Sequence, residues 1–83
     1  MAMEKELKYE IINHVGVVSV QSSGWQKELN RVSWNGGAPK YDLRDWSPNH
    51  EKMGKGITLT ESDLRALKKI VDTEIEFLDS DPL

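Results

Sequence analysis

Residues 40–59 read K-Y-D-L-R-D-W-S-P-N-H-E-K-M-G-K-G-I-T-L, and their reading decides the fold. Residues 40–46 alternate long polar and apolar side chains, which is the period of a strand. Ser47-Pro48-Asn49 ends it, because proline cannot donate to a ladder and serine and asparagine bond their own backbone. The stretch through Gly54 is polar and reads as a solvated loop. Gly56-Ile57-Thr58-Leu59 is a fourth, short strand that runs straight into Thr60, a helix-capping residue.

Downstream, Asp63 stands three residues after Thr60 as a capping-box partner, and Leu59 and Leu64 hold the positions of a hydrophobic staple. Leu64, Leu67, Val71, Ile75 and Leu78 recur at helical spacing, with Ile70 and Phe77 widening the stripe. These features predict a helix over 60–78 and a frayed acidic tail over 79–83. Burying such a stripe contributes on the order of 14 kcal/mol gross, before conformational entropy is subtracted. The helix is therefore expected to cover the inner sheet face, with Ile70 or Phe77 set against a second subunit.

Upstream, residues 25–34 read as a second strand, and Asn35-Gly36-Gly37-Ala38-Pro39 as a hairpin loop needing positive φ. Residues 7–20 form a β-rich run whose phase slips near Asn13 and Gly16, predicting a bent or bulged first strand. Ser22-Ser23-Gly24 is the turn between the two. The result is an α+β unit, β-β-β-β-α, with a curved four-stranded antiparallel sheet over 7–59 in a single domain over 1–83.

Eighty-three residues bury a thin core, and without a cysteine no disulfide or thiolate metal site supplements it. Self-association is the remaining route, so a homodimer is expected. The longest apolar run is far short of a membrane span and the N-terminus lacks a signal peptide's hydrophobic region, which predicts a cytoplasmic protein with no membrane partner. A net charge of -3 conceals a division along the chain. Residues 25–55 hold six cations against four anions, whereas residues 60–83 hold three against seven. An acidic helix thus backs a mildly basic sheet.

Strand alternation over 40–46 places Lys40, Asp42, Arg44 and Trp46 on one face and Tyr41, Leu43 and Asp45 on the other, with Tyr41 and Leu43 as the natural core. Two cations and an indole on one face suit a flexible phosphate chain whose unpaired bases can stack. A duplex hides its base faces, so single strands are favoured. Arg44 paired with a carboxylate and Trp46 capping the core edge is the structural alternative. In the second strand, alternation from Trp34 takes in Val32, Asn30 and Glu28 and sends Trp25, Lys27 and Arg31 to the opposite face. A bulge within 29–33 would unite them. His14 and His50 lie far apart with no clustered ligands, which speaks against a metal site. No cysteine nucleophile or Gly-rich phosphate loop is present, and Asp42, Asp45 and Glu51 share no strand face, which speaks against an enzyme.

The element order, with Asp42-Leu43-Arg44-Asp45-Trp46 ahead of Lys55-Gly56-Ile57-Thr58-Leu59, resembles the positive cofactor four family of single-stranded-DNA-binding transcriptional coactivators, and most closely its small bacterial YdbC-like members. The resemblance runs over roughly residues 9–75. It implies that Arg44 and an aromatic at or beside Trp46 lie on a nucleic-acid face, that Trp34 falls near a base-stacking aromatic, and that Lys52 and Lys55 contact phosphate. The expected interface is Trp25, Lys27, Arg31, Trp34, Lys40, Arg44, Trp46, Lys52 and Lys55, binding single-stranded DNA without sequence preference and without a cofactor. Two alternatives stand beside it: single-stranded RNA as the ligand, and a dimeric adaptor that docks a polymerase or other transcription or replication machinery.

Overall fold

The computed structural model describes residues 8–80. Strands β1 (Tyr9–Val20), β2 (Gln26–Trp34), β3 (Lys40–Trp46) and β4 (Met53–Leu59) form one antiparallel sheet in the order β1-β2-β3-β4, and helix α1 (Glu61–Ser80) follows. The four-strand-and-helix architecture matches the expectation from sequence. Three of its details differ. β4 begins at Met53, because Met53 pairs with Trp46 across a bulge in which Gly54 and Lys55 stand against Asp45. The polar stretch before Gly56 is therefore partly ladder, not all loop. Asp79 and Ser80 continue the helix, and the rest of the expected frayed tail, like Leu7, lies outside the described residues.

Three further bulges fall in β1, as its phase slip predicts, and none falls in β2. Twelve residues of β1 run beside nine of β2, and the register shifts between Ile11 and Asn13, His14 and Gly16, and Val17 and Ser19. Ile12, Val15 and Val18 are the extra residues, one in every three, which is the source of the phase slip in the sequence. Each bulge bends its strand and increases the local twist. The consequence is visible across the sheet. Tyr9 pairs with Trp34 at one end and Trp46 with Gln26 at the other, an offset of roughly 26 Å along a flat strand, yet the Tyr9 and Trp46 ring centroids are 5.6 Å apart. The sheet is curled strongly around the face that carries these rings.

That concave face holds the fully buried side chains: Trp46, Val32, Glu28, Asn30 and Asp42. Tyr41 and Leu43, on the convex face, are only half-buried, which corrects the expectation that they form the core. α1 stands on this Tyr41 side, the face expected to receive it, but leaves it open rather than covered. It lies against the convex side, where Leu64, Leu67 and Val71 border an open groove with Arg31 and Tyr41, and none of its residues is buried within a single chain. Curling, rather than helix packing, encloses the core.

Local signals set the turns and the helix start. Asn35 and Gly36 adopt φ of 51° and 77°, and the Gly37 amide donates to the Trp34 carbonyl at 2.9 Å, closing the positive-φ hairpin turn that the loop composition predicts. The Thr60 hydroxyl accepts from the Asp63 amide at 3.0 Å while the Asp63 carboxylate accepts from the Thr60 amide at 3.1 Å. This is a reciprocal capping box built with aspartate.

Candidate nucleic-acid interface

β2 and β3 pair without interruption from Gln26–Trp46 to Val32–Lys40, so alternation along β2 is strict. Glu28, Asn30, Val32 and Trp34 share the concave face with Lys40, Asp42, Arg44 and Trp46. Lys27 and Arg31 lie on the convex one. Lys27 is engaged there with Asp45 at 3.2 Å, and Arg31 borders the groove beside α1. The sequence-predicted interface is thereby split between two sides of the sheet, and no β2 bulge reunites it. Trp25 sits in the turn ahead of β2, at the opposite end of that strand from Trp34, and is half-buried.

The concave face is a layered polar arrangement. Arg44 donates from Nε and Nη2 to the two Asp42 oxygens, each at 2.6 Å, and from Nη1 to the Gly54 carbonyl at 3.2 Å. Its side chain is 14% exposed and that of Asp42 is 0%. A buried carboxylate is tolerated only when paired and hydrogen-bonded, and the bidentate guanidinium satisfies both conditions. Arg44 is thus held in an ion pair rather than presented as a free cation. The guanidinium also lies 4.9 Å from the centroid of the Trp34 ring, within cation–π range, and Tyr9 packs against the same indole at 5.8 Å.

Gly56 makes this placement possible. A Cβ there would collide with Arg44 Cβ and with the Leu43 carbonyl, so only glycine lets β4 lie this close beneath the arginine.

A second layer surrounds Glu28. Its carboxylate accepts from Gln26 at 3.0 Å, from Asn30 at 3.1 Å and from His50 Nε2 at 3.0 Å to both oxygens, while His14 stands 3.7 Å away and bonds Asn30 at 2.6 Å. Burial pushes the Glu28 carboxyl up, but the bonds from Asn30, His50 and Gln26, with the charge of His50, outweigh it and hold the group below the usual carboxylate range. The two histidines, distant in sequence, thus converge on one acid. Among the described residues no cluster suited to a metal ion occurs.

Trp46 is 0% exposed, against the expectation that it faces an open binding surface. The reason is the curl: Tyr9 reaches it from β1, and His50 lies flat on it at 4.4 Å with 3° between the planes. By contrast Lys40, Lys52 and Lys55 are exposed, and among the described residues none makes an ion pair. The face therefore combines half-exposed aromatic rings, a fixed guanidinium and unpaired lysines at its margin. Tyr9, Glu28, Asn30, His50 and Gly56 were not singled out from the sequence for this site. Tyr9 was within reach, since pairing β1 with β2 sets it opposite Trp34, whereas nothing local marked His50.

Residues 21–70 match the sequence model of the transcriptional coactivator p15 (PC4) family, a span that takes in β2, β3, β4 and the first half of α1. The chain belongs to that family. A protein of Treponema pallidum (strain Nichols), described as uncharacterized, is 43% identical over 68 residues, covering 82% of this chain and 80% of its own length. The PC4 family is the one that the motif around Arg44 and Gly56 resembles. Its match spans the whole β2–β3 hairpin and the loop that carries His50, so the concave face just described lies largely inside it. No helix among the described residues is long and apolar enough to cross a membrane.

Proposed function

We propose that this protein binds single-stranded DNA, without sequence preference, on the concave face of its sheet, that it does so as a homodimer, and that it serves transcription as a non-enzymatic coactivator-like factor. The observation that carries the reading is the Arg44–Trp34–Tyr9 cluster, with the guanidinium over the indole and the Tyr9 ring tilted against it, bordered by exposed lysines. Aromatic rings give bases a stacking platform at about 1–3 kcal/mol per base, and every base has a π-face, so such contacts tolerate any sequence. Lys40, Lys52 and Lys55 supply charge for the phosphates, and Arg44 stiffens the platform. Family membership supports the same ligand class. Lys27 and Arg31 stand outside this surface because they lie on the convex side.

The homodimer rests on exposed apolar surface. Ile70 and Phe77 of α1 are 67% and 62% exposed, and the groove between helix and sheet is open in one chain. Monomers rarely leave so continuous an apolar face in water. The same exposed helix, acidic on its polar side, favours a second reading in which α1 docks a component of the transcription machinery.

Fluorescence anisotropy of a labelled oligothymidine of about twenty nucleotides, against its duplex and against oligouridine, tests the proposal. Single-strand binding should exceed duplex binding and weaken roughly 50-fold between about 50 and 200 mM salt if about four phosphates are contacted. Trp34→Ala should weaken it at least about fivefold. Equal binding to the duplex would favour the docking reading, and tighter binding to oligouridine would reassign the ligand to RNA.

A further inference from the structure

Trp46 and His50 form a contact that the proposed binding does not explain. The Trp46 indole is the largest fully buried side chain, and its Nε1–H is buried with no acceptor. A buried donor left without a partner is costly, and the Trp34 Nε1–H on the same face shares this state. One face of the indole is occupied by an imidazole lying parallel at 4.4 Å and 3°, which is the arrangement of a stacked nucleobase. The imidazole comes from residues 47–52, the connection between β3 and β4, and its side chain is 40% exposed, so it is a thin cover rather than an inner layer.

His50 adopts φ of 62°, a left-handed conformation that costs a side-chain-bearing residue, and what holds it is specific. Its Nε2 meets both Glu28 oxygens at 3.0 Å, and its amide donates to the Ser47 carbonyl at 2.9 Å. Apart from His50, the side-chain hydrogen bonds of the connection run within it, through Ser47 and Asn49, while Pro48 lies near Gly24 of the β1–β2 turn. Swinging His50 outward therefore breaks a stack and the Glu28 contact while leaving the sheet ladder intact. It uncovers the Trp46 ring beside Tyr9, on the face that carries Trp34.

We infer that His50 is an internal lid that stands in for a base on Trp46, and that a single-stranded ligand displaces it to gain a second stacking site. The inference rests on the proposed binding. It adds that the free protein is partly self-occluded, so its apparent affinity is reduced by the fraction of molecules with the lid open. If about a tenth are open, removing the imidazole tightens binding about tenfold.

His50→Gly tests this, since glycine accepts the positive φ and takes away the cover together with its bond to Glu28. Two readouts separate the lid from the binding reading. In a Trp25→Phe/Trp34→Phe background, where Trp46 is the only indole, acrylamide quenching of the DNA-free protein should rise in His50→Gly. In the otherwise unaltered protein, His50→Gly should bind the oligothymidine about tenfold more tightly. Trp46 that stays protected, or affinity that is unchanged or weaker in a folded variant, overturns the lid and leaves Trp46 as core. Absence of oligothymidine binding by the unaltered protein would instead overturn the binding reading, and the ligand-displacement step with it.

Discussion

Glu28 is an acid enclosed on the concave face and satisfied by three side chains, and its behaviour with pH follows from that. Its pKa in the folded protein lies below its ordinary value of 4.5, so on acidification the unfolded chain takes up this proton first. The stability that Glu28 supplies is therefore complete above about pH 4.5 and is lost as pH falls through the lower folded-state value. Urea titrations from neutral pH down to about pH 3 should show this loss, and Glu28→Gln should flatten the slope. An identical acid slope in the two proteins would contradict it. Gly56 makes the opposite kind of demand, for space rather than charge. Gly56→Ala should cost about 1–3 kcal/mol through overpacking against Arg44 and the Leu43 carbonyl, read from the urea midpoint, with single-strand binding weakened because Arg44 is displaced. The glycine stood in plain view within the recognised motif, but its purpose appears only once Arg44 is seen to lie over it.

At the scale of elements, the helix start and the hairpin turn were legible because both are local: a side chain bonds a backbone group three residues away, or a glycine adopts the φ its turn requires. Thr60→Ala should lower stability by about 1 kcal/mol, since the capping box at Thr60 and Asp63 is intact, and thermal or urea denaturation reads it directly. β1 was legible in part. Its phase slip announced irregularity, but three regularly spaced bulges emerge only from its pairing with β2. β2 was the reverse case. Placing Lys27 and Arg31 beside Trp34 needed a bulge there, and the continuous pairing of β2 with β3 leaves those cations on the convex side. A strand's face is a local property, whereas which face becomes the inside is not.

At the scale of the whole molecule, an unburied helix and a curled sheet are two sides of one architecture. The chain closes its concave face on itself and leaves Leu67, Ile70, Val71, Ile75, Phe77 and Leu78 exposed. If a second copy covers them, as proposed, Ile70→Glu with Phe77→Glu should convert the protein from dimer to monomer by light scattering and lower its thermal stability, because charges replace buried apolar surface at the interface. A particle of monomer mass before any substitution would instead leave the helix to another partner.

The sequence by itself determined the order of four strands and a helix, the turn and cap positions, and membership of a recognisable family, because these rest on periodicity and on short-range backbone chemistry. Only the tertiary structure decided that Trp46 and Asp42 lie inside while Tyr41 and Leu43 do not, that Arg44 is held by a carboxylate, and that His14 and His50 meet at Glu28. Those outcomes depend on the direction in which bulges curl the sheet, and curling brings together residues more than twenty positions apart in the chain, such as Glu28 and His50.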